Sequence, residues 1–283
     1  MNPAAWLVTH EAALRLAAFA GVALVMALWE WRAPRRPLQL PRRQRWTANL
    51  GLVVLDGLLV RLVAPAAALG VAALAEARGW GLFHVLAVPG WLAFGASVVI
   101  LDFVIWLQHV MVHAIPLLWR IHRVHHTDLD YDFSTGVRFH PLEILLSLGI
   151  KFAAIVLLGP PLAAVVTFEI LLNVMALFNH GNVGLPPRLE RVLRWLVVTP
   201  DMHRVHHSWE DDEANSNFGF NLSLWDRLFG TYRAAPRAGQ QGMTLGIRHY
   251  RDPRQVDRLP GLLWLPFRGR ITGYAINRRR WEP

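Results

Sequence analysis

The chain has 283 residues, room for one large domain or two small ones; 54% are hydrophobic and 17% charged, against about 25% charged in a soluble domain. It has no cysteine, which excludes disulfides, thiolate zinc sites, cysteine-ligated iron–sulfur clusters and a cysteine nucleophile, and leaves histidine and carboxylate as metal ligands. The net charge of +9 is carried almost wholly by arginine, with Lys151 the single lysine, and the arginines flank apolar runs, which points to membrane topology and anionic-lipid contact and argues against nucleic acid.

The first apolar run, about Leu16 to Trp31, has no basic segment before it and no small-residue cleavage site after it, so it reads as a membrane span and not as a signal peptide. Arg32, Arg35, Arg36, Arg42, Arg43 and Arg45 follow directly, a stop-transfer pattern that places this loop in the cytoplasm. A second run, about Leu50 to Leu74, contains Asp56 and Arg61. Each would cost roughly 2.5–3.5 kcal/mol unpaired at the bilayer centre, so both are expected to face protein or an interface. Pro65 predicts a kink or break there. The third run, about Val85 to Leu107, spans and leads without a break into histidines. The fourth, Ile144 to Phe178, is interrupted by Gly159-Pro160-Pro161, and each half is short of the roughly 20 residues of a full span, so a tilted or partly inserted helical hairpin is expected.

The predicted fold is therefore all-α: an integral-membrane helical bundle of about three spanning helices plus the hairpin, with a cytoplasmic, histidine-rich metal-binding cap. Counting spans from an outer N-terminus brings the histidine clusters and the Arg-rich C-terminal stretch (Arg248 to Arg280) to the cytoplasmic side. The expected parts are N-terminal transmembrane helices (1–84), a catalytic domain bearing the histidines (85–235) and an Arg-rich cytoplasmic tail (236–283).

Most of the 13 histidines are clustered. His109 and His113 form H-x3-H; His122, His125 and His126 form H-x2-HH within HRVHH; His203, His206 and His207 repeat the same pentapeptide. Positions i, i+3 and i+4 share a helix face, so H-x3-H aims two imidazoles at one point, and H-x2-HH aims two and offers a third to a neighbouring ion. Imidazole suits iron, zinc, copper and nickel, and eight clustered rings exceed the needs of one ion. Two nearby ions are the economical reading, because so many neutral rings without partners would be costly to desolvate. His10, His84 and His249 stand apart and are not expected to be ligands.

From Asp102 to Tyr232 the chain resembles the fatty acid hydroxylase / sterol desaturase superfamily of membrane di-iron proteins. The resemblance rests on Gln108-His109-x3-His113, Leu118-Trp119-Arg120-Ile121-His122-Arg123-Val124-His125-His126, Phe139-His140-Pro141, Asn179-His180-Gly181, Thr199-Pro200-Asp201-Met202-His203 through His207-Ser208, Asn217-Phe218-Gly219, and Trp225-Asp226 through Tyr232. It implies two iron ions held by His109, His113, His122, His125, His126, His203, His206 and His207, with His180 a further ligand and His140 either a ligand or a partner of one. It also implies dioxygen as co-substrate and attack on a C–H bond of a lipid.

The outer N–H of a ligating imidazole usually meets a carboxylate or carbonyl. Asp102, Gln108, Asp201 and Asp226 are the leading candidates, with Glu143 beside them; Asp128 reads more simply as a cap or interface charge. Asp102 lies in an apolar run, where a charge is costly unless protonated or paired, and Glu169 and Asn173, within the hairpin, are suspect for the same reason. The sequence has no HPGG haem-binding segment and no GxGxxG after a strand, so electrons are expected from a separate ferredoxin- or cytochrome-type donor with its reductase. Two other readings stay open: a histidine-ligated membrane zinc hydrolase, though HExxH is absent, and a non-catalytic metal-binding or transport protein. Hydroxylation, desaturation and ether cleavage are alike compatible with the ligand set.

Overall fold

The computed structural model describes residues 3–65 and 67–269. These are helical, joined by turns, and among the described residues the only β-pairing is two isolated antiparallel bridges, Val197 with Leu222 and Ser208 with Leu245. In chain order the helices are α1 (Pro3–Thr9), α2 (Glu11–Arg32), α3 (Arg42–Val63), α4 (Ala67–Arg78), α5 (Leu82–Val85), α6 (Gly90–Ala114), α7 (Pro116–His126), α8 (Pro141–Leu158), α9 (Leu162–Asn179), α10 (Pro187–Leu193), α11 (Pro200–His206), α12 (Asp211–Ala214), α13 (Leu224–Leu228), α14 (Gly239–Gly242), α15 (Pro253–Val256) and α16 (Leu259–Trp264). Single 3₁₀ turns cover Phe133–Val137 and Leu265–Phe267.

Five stretches are long and apolar enough to cross a membrane: α2, Arg42–Val85, α6, α8 and α9. They leave Leu62, Val85 and Trp91 largely exposed, an outer surface suited to lipid. Between helices that already face hydrocarbon, close packing of small residues supplies the association. The α4 stripe Ala68, Ala72 and Ala75 is buried, and its first two members pack on Ile155 of α8 and Val165 of α9. The α2 and α6 helices pack on α9, and Leu101, Ile105, Phe168 and Ala176 form the α6–α9 core.

The Gly159-Pro160-Pro161 break is the hairpin tip: Gly159 adopts a left-handed conformation (φ 64°) and Pro161 precedes the first turn of α9. Gly81 (φ 102°) meets it so closely that a Cβ there would lie 2.2 Å from Gly159 N, so neither position admits a side chain. The turn after α4 and the hairpin tip thus share one end of the bundle. The last turns of α6 and α9 and the first turn of α8 reach the other end, where α7, α11 and the 133–137 turn form a cap.

The arginine run is folded into this cap. Arg45 is fully buried, its guanidinium donating to both Asp128 oxygens at 2.8 Å and to Asp132 Oδ2 at 2.5 Å; Arg35 pairs with Asp201 at 3.0 Å. Topology alone does not account for these residues: Arg32 and Arg43 stay exposed, but Arg35 and Arg45 hold the cap together. The expected tail is likewise folded as far as Phe267. Leu262 and Leu265 are fully buried against Ala48, Leu52 and Val124. The remainder of the predicted tail, 270–283, lies outside the described residues.

Candidate metal centre

α6 carries His109 and His113 on its last turns. Ile115 breaks the helix, and Pro116 starts α7 at the position where a missing N–H costs nothing. α7 turns back with His122, His125 and His126 buried. Thr199 caps α11 by accepting from Met202 N, Pro200 takes its first turn, and His203 and His206 follow, with His207 at the C-cap. His180 is the C-cap of α9.

The imidazoles gather into two buried groups, His109, His113, His122, His126 and His206, and His125, His180, His203 and His207; within each group, ligand nitrogens lie within 4.8 Å of one another. The two HRVHH segments are used reciprocally. The i, i+4 pair of α7 (His122, His126) joins the first group while His125 crosses to the second. The i, i+4 pair of α11 (His203, His207) joins the second while His206 crosses to the first. The groups abut: the His126 and His207 rings stack at 4.6 Å.

Four rings are oriented from behind. His109 Nδ1 donates to Phe218 O at 2.8 Å, His206 Nδ1 to Ser216 O at 2.8 Å, His180 Nδ1 to Ala176 O at 2.8 Å, and His122 Nδ1 faces Glu143 Oε1 at 2.6 Å. Each bond leaves a lone pair on Nε2 directed into the cluster. His109, His122 and His206 Nε2 are buried without a partner, as are His125 Nδ1, His203 Nδ1 and His207 Nε2. His180 Nε2 lies 3.1 Å from both His125 Nε2 and His203 Nε2, and His113 Nε2 lies 3.1 Å from His126 Nε2. Such a gathering of imidazole nitrogens in a buried site suits a pair of cations. Burial, followed by mutual repulsion among the rings, holds His125, His126, His203 and His207 well below the ordinary imidazole range; burial chiefly does the same for His206 and pushes His180 down to about 3. These six rings are therefore neutral at pH 7, the state that ligates.

The remaining expected site residues divide. His140 is not brought to either group: it caps α8, its Nδ1 accepting from Leu142 N at 3.1 Å, with Nε2 facing Leu263 O at 3.3 Å. Pro141 fixes the helix start there, and that start aims the ring at the backbone. Asp102, Asp201 and Asp226, expected behind the imidazoles, make their bonds to other groups. Asp226 accepts from Phe218 N, Gly219 N, Trp106 Nε1 and Thr231 Oγ1, and so fixes the loop whose carbonyl holds His109. Asp102 accepts from Asn221 N, Leu222 N and Trp225 Nε1. Asp201 pairs with Arg35 and Arg204. Asp128 is a structural charge, as the simpler reading has it; burial raises its pKa, but Arg45 and Arg138 outweigh this and hold the carboxyl well below its usual range. Sequence reasoning missed the three carbonyl acceptors, of Ala176, Ser216 and Phe218, because every residue has a carbonyl and only tertiary placement selects one.

A cavity of about 370 Å³ opens beside the first group, with His109, His122 and His125 at one end and mainly apolar walls from α3, α6, α8 and α9, among them Val53, Ile105, Leu148 and Leu172. Gln108 lines it with Oε1 unpartnered. Glu169 also reaches it and is paired with Lys151 at 2.6 Å and Arg15 at 3.2 Å, while Asn173 Nδ2 donates to Glu169 O.

The family described as Fatty acid hydroxylase matches residues 94–231, the segment that supplies all nine clustered histidines. Ornithine lipid hydroxylase OlsE of Rhizobium tropici is 33% identical over 142 residues, 50% of this chain and 42% of that protein. Alkylglycerol monooxygenase of Xenopus tropicalis is 26% identical over 235 residues, 81% of this chain and 48% of that protein. Human cholesterol 25-hydroxylase is 28% identical over 141 residues, 48% of each. The matches thus span less than half the length of these relatives. No solved structure matches the chain. Residues 94–231, which hold both histidine groups, are thus matched by the fatty acid hydroxylase family and are similar to lipid hydroxylases and monooxygenases.

Proposed function

We propose that the protein is an integral-membrane di-iron oxygenase that hydroxylates, or desaturates, a C–H bond of a lipid. The carrying observation is the two abutting groups of buried imidazoles, six of whose rings keep a nitrogen without a hydrogen-bond partner. In this reading His109, His113, His122, His126 and His206 hold one iron, and His125, His180, His203 and His207 hold the other. With both ions bound, the centre would supply dioxygen chemistry, drawing electrons from a separate donor of the ferredoxin or cytochrome type. His140 takes no ligand role, since both its ring nitrogens face backbone groups.

The chain's own residues supply position and dryness. Glu143 and the carbonyls of Phe218, Ser216 and Ala176 hold the rings, and Asp226 and Asp102 hold the loop that offers the first carbonyl. The cavity would take the lipid and exclude water from its reacting end. The arginines gathered at the histidine end support a cytoplasmic face for the site. The three named relatives are a lipid hydroxylase, a monooxygenase and a hydroxylase, which supports the reaction class. Lipid analysis of cells with and without the protein under labelled dioxygen tests the reading. Label in one lipid class marks hydroxylation and loss of two hydrogens without label marks desaturation; an unchanged lipid profile contradicts both.

A further inference from the structure

α10 and α13 belong to none of the five spans, yet the fold holds them at the level of a membrane-spanning helix. α6 has 25 residues, a length of about 37 Å, and Asp102 is its midpoint. A hydrocarbon core of roughly 30 Å laid anywhere along that length contains Asp102. Asp102 accepts from Asn221 N at 3.3 Å, Leu222 N at 3.2 Å and Trp225 Nε1 at 2.9 Å, so the start of α13 sits at that depth. At the other end of α13, Phe229 stacks on Trp106 at 4.7 Å. Val99, Phe103 and Leu107 recur every four residues on one face of α6. Val99 and Leu107 are exposed, and Phe103 between them meets Trp225 and Phe229. α13 therefore borders the lipid-facing stripe of α6 and continues it with Leu224, Leu228 and Phe229, all exposed.

Backbone pairing carries the end of α10 to the same place: Val198 N donates to Asn221 O at 2.9 Å and Ser223 N to Leu196 O at 3.3 Å. Irregular backbone is tolerated at membrane depth where protein satisfies its polar groups, as these bonds and those to Asp102 do. Leu189, Val192, Trp195 and Leu196 are exposed beside it. Two nearby cations are met within the protein: Arg194 pairs with Glu190 at 2.7 Å, and the Arg227 guanidinium lies 3.9 Å from the Trp195 and Tyr232 ring centres alike. Arg188 and Arg191 are exposed, three positions apart on α10, and have no ion pair among the described residues.

We infer that α10 and α13 form a non-spanning membrane contact: their apolar face lies in the leaflet at the histidine end of the bundle, and Arg188 and Arg191 take the phosphates of anionic phospholipids there. The face is continuous with a helix side that already meets acyl chains, so lipid is its natural cover. Arginine stems run along apolar surface while their guanidiniums reach the headgroups and grip phosphate through paired N–H donors. Two cations without partners favour an anionic over a zwitterionic lipid. The inference goes beyond the oxygenase reading and needs neither metal nor substrate.

The chain has no cysteine, so one introduced cysteine carries one bimane label. Val192→Cys and Leu228→Cys report on α10 and α13, Leu24→Cys on the exposed side of α2, and Ala238→Cys on an exposed turn beside the Arg237–Asp212 pair. The full chain is placed in phosphatidylcholine nanodiscs with phosphatidylglycerol as minor component, and quenching by brominated lipid is set against quenching by acrylamide from water. The α10 and α13 labels should follow Leu24, quenched by lipid and shielded from acrylamide, with the Ala238 label the reverse. Brominated phosphatidylglycerol should quench the Val192 label more than the same fraction of brominated phosphatidylcholine. Arg188→Gln/Arg191→Gln should cut that advantage by about fivefold, the ratio for one arginine at an anionic surface. With Leu24 in lipid, α10 and α13 labels as open to acrylamide as Ala238 overturn this inference alone; a Leu24 label open to water overturns the spanning bundle with it. Labels shielded from both quenchers would mean that a second copy of the chain or another protein covers the face, and a headgroup preference indifferent to both arginines would remove the anionic lipid; either outcome overturns the inference.

Discussion

Gly136 lies where the 133–137 turn crosses the end of α9. A Cβ on it would fall 2.2 Å from Ala176 O, 2.8 Å from Ala176 C and 3.1 Å from His180 Nδ1. Its φ is not positive, so alanine meets no backbone penalty there and the whole effect is collision. Non-bonded heavy atoms settle near about 3.5 Å, so the turn or the helix end must withdraw by about 1 Å. Overfilling of this kind costs about 1–3 kcal/mol. The withdrawal also pulls the Ala176 carbonyl from His180 Nδ1, now at 2.8 Å, at a cost of roughly another 1 kcal/mol. Gly136→Ala should therefore lower the thermal unfolding midpoint of the metal-free protein. It should also weaken the group of His125, His180, His203 and His207 selectively, leaving about one iron per chain where the unaltered protein holds two. Circular dichroism melts and iron analysis of the detergent-solubilised protein read both effects. An unchanged midpoint with both irons retained would refute the argued link from the turn, through Ala176, to His180.

Asp226→Asn places an amide N–H₂ where four donors now converge, and through Phe218 and His109 it should weaken iron in the other group about tenfold, read by chelator competition. Arg45→Met strands Asp128 and Asp132 as buried unpaired carboxylates, at a cost of about 3–5 kcal/mol. It should abolish accumulation of folded protein in membranes, with partial recovery in Arg45→Met/Asp128→Leu. In the metal-free protein the depressed imidazole pKa values fix the sign of the pH dependence. Above about 6.5 the rings are neutral in both folded and unfolded chains; below it the unfolded chain gains protons that the folded chain refuses until about 3 for His180. Stability is thus present above about pH 6.5 and lost as pH falls toward 3, by up to about 1.4 kcal/mol per pH unit for each such ring, and melts taken from pH 7.5 to 5 should show it.

Much of this was legible because it is local. The apolar runs gave the spans, Gly159-Pro160-Pro161 gave the hairpin tip, and helical spacing gave two rings per HRVHH segment to one point with a third offered elsewhere. The reciprocal crossing of His125 and His206 was not legible, since it depends on how α7 and α11 face each other. His140 stands in Phe139-His140-Pro141, one of the segments of the resemblance, yet its ring is turned aside by the helix that Pro141 begins. Asp102 and Asp226 were expected behind the imidazoles, but a one-dimensional pattern does not say whether a carboxylate meets a ring or the loop behind it. Arg45 shows the same limit: a run of arginines after a span reads as topology, and only the fold selects the one that is buried between two aspartates.

The central claim is that two groups of imidazoles each hold an iron. It is tested most directly by counting metal on anaerobically purified protein, unaltered and with one ring removed from each group in turn, as His206→Ala and His203→Ala. About two irons per chain are expected, falling toward one in each variant and toward none when both rings are removed. One zinc per chain in the unaltered protein, or an iron content indifferent to both substitutions, would contradict it.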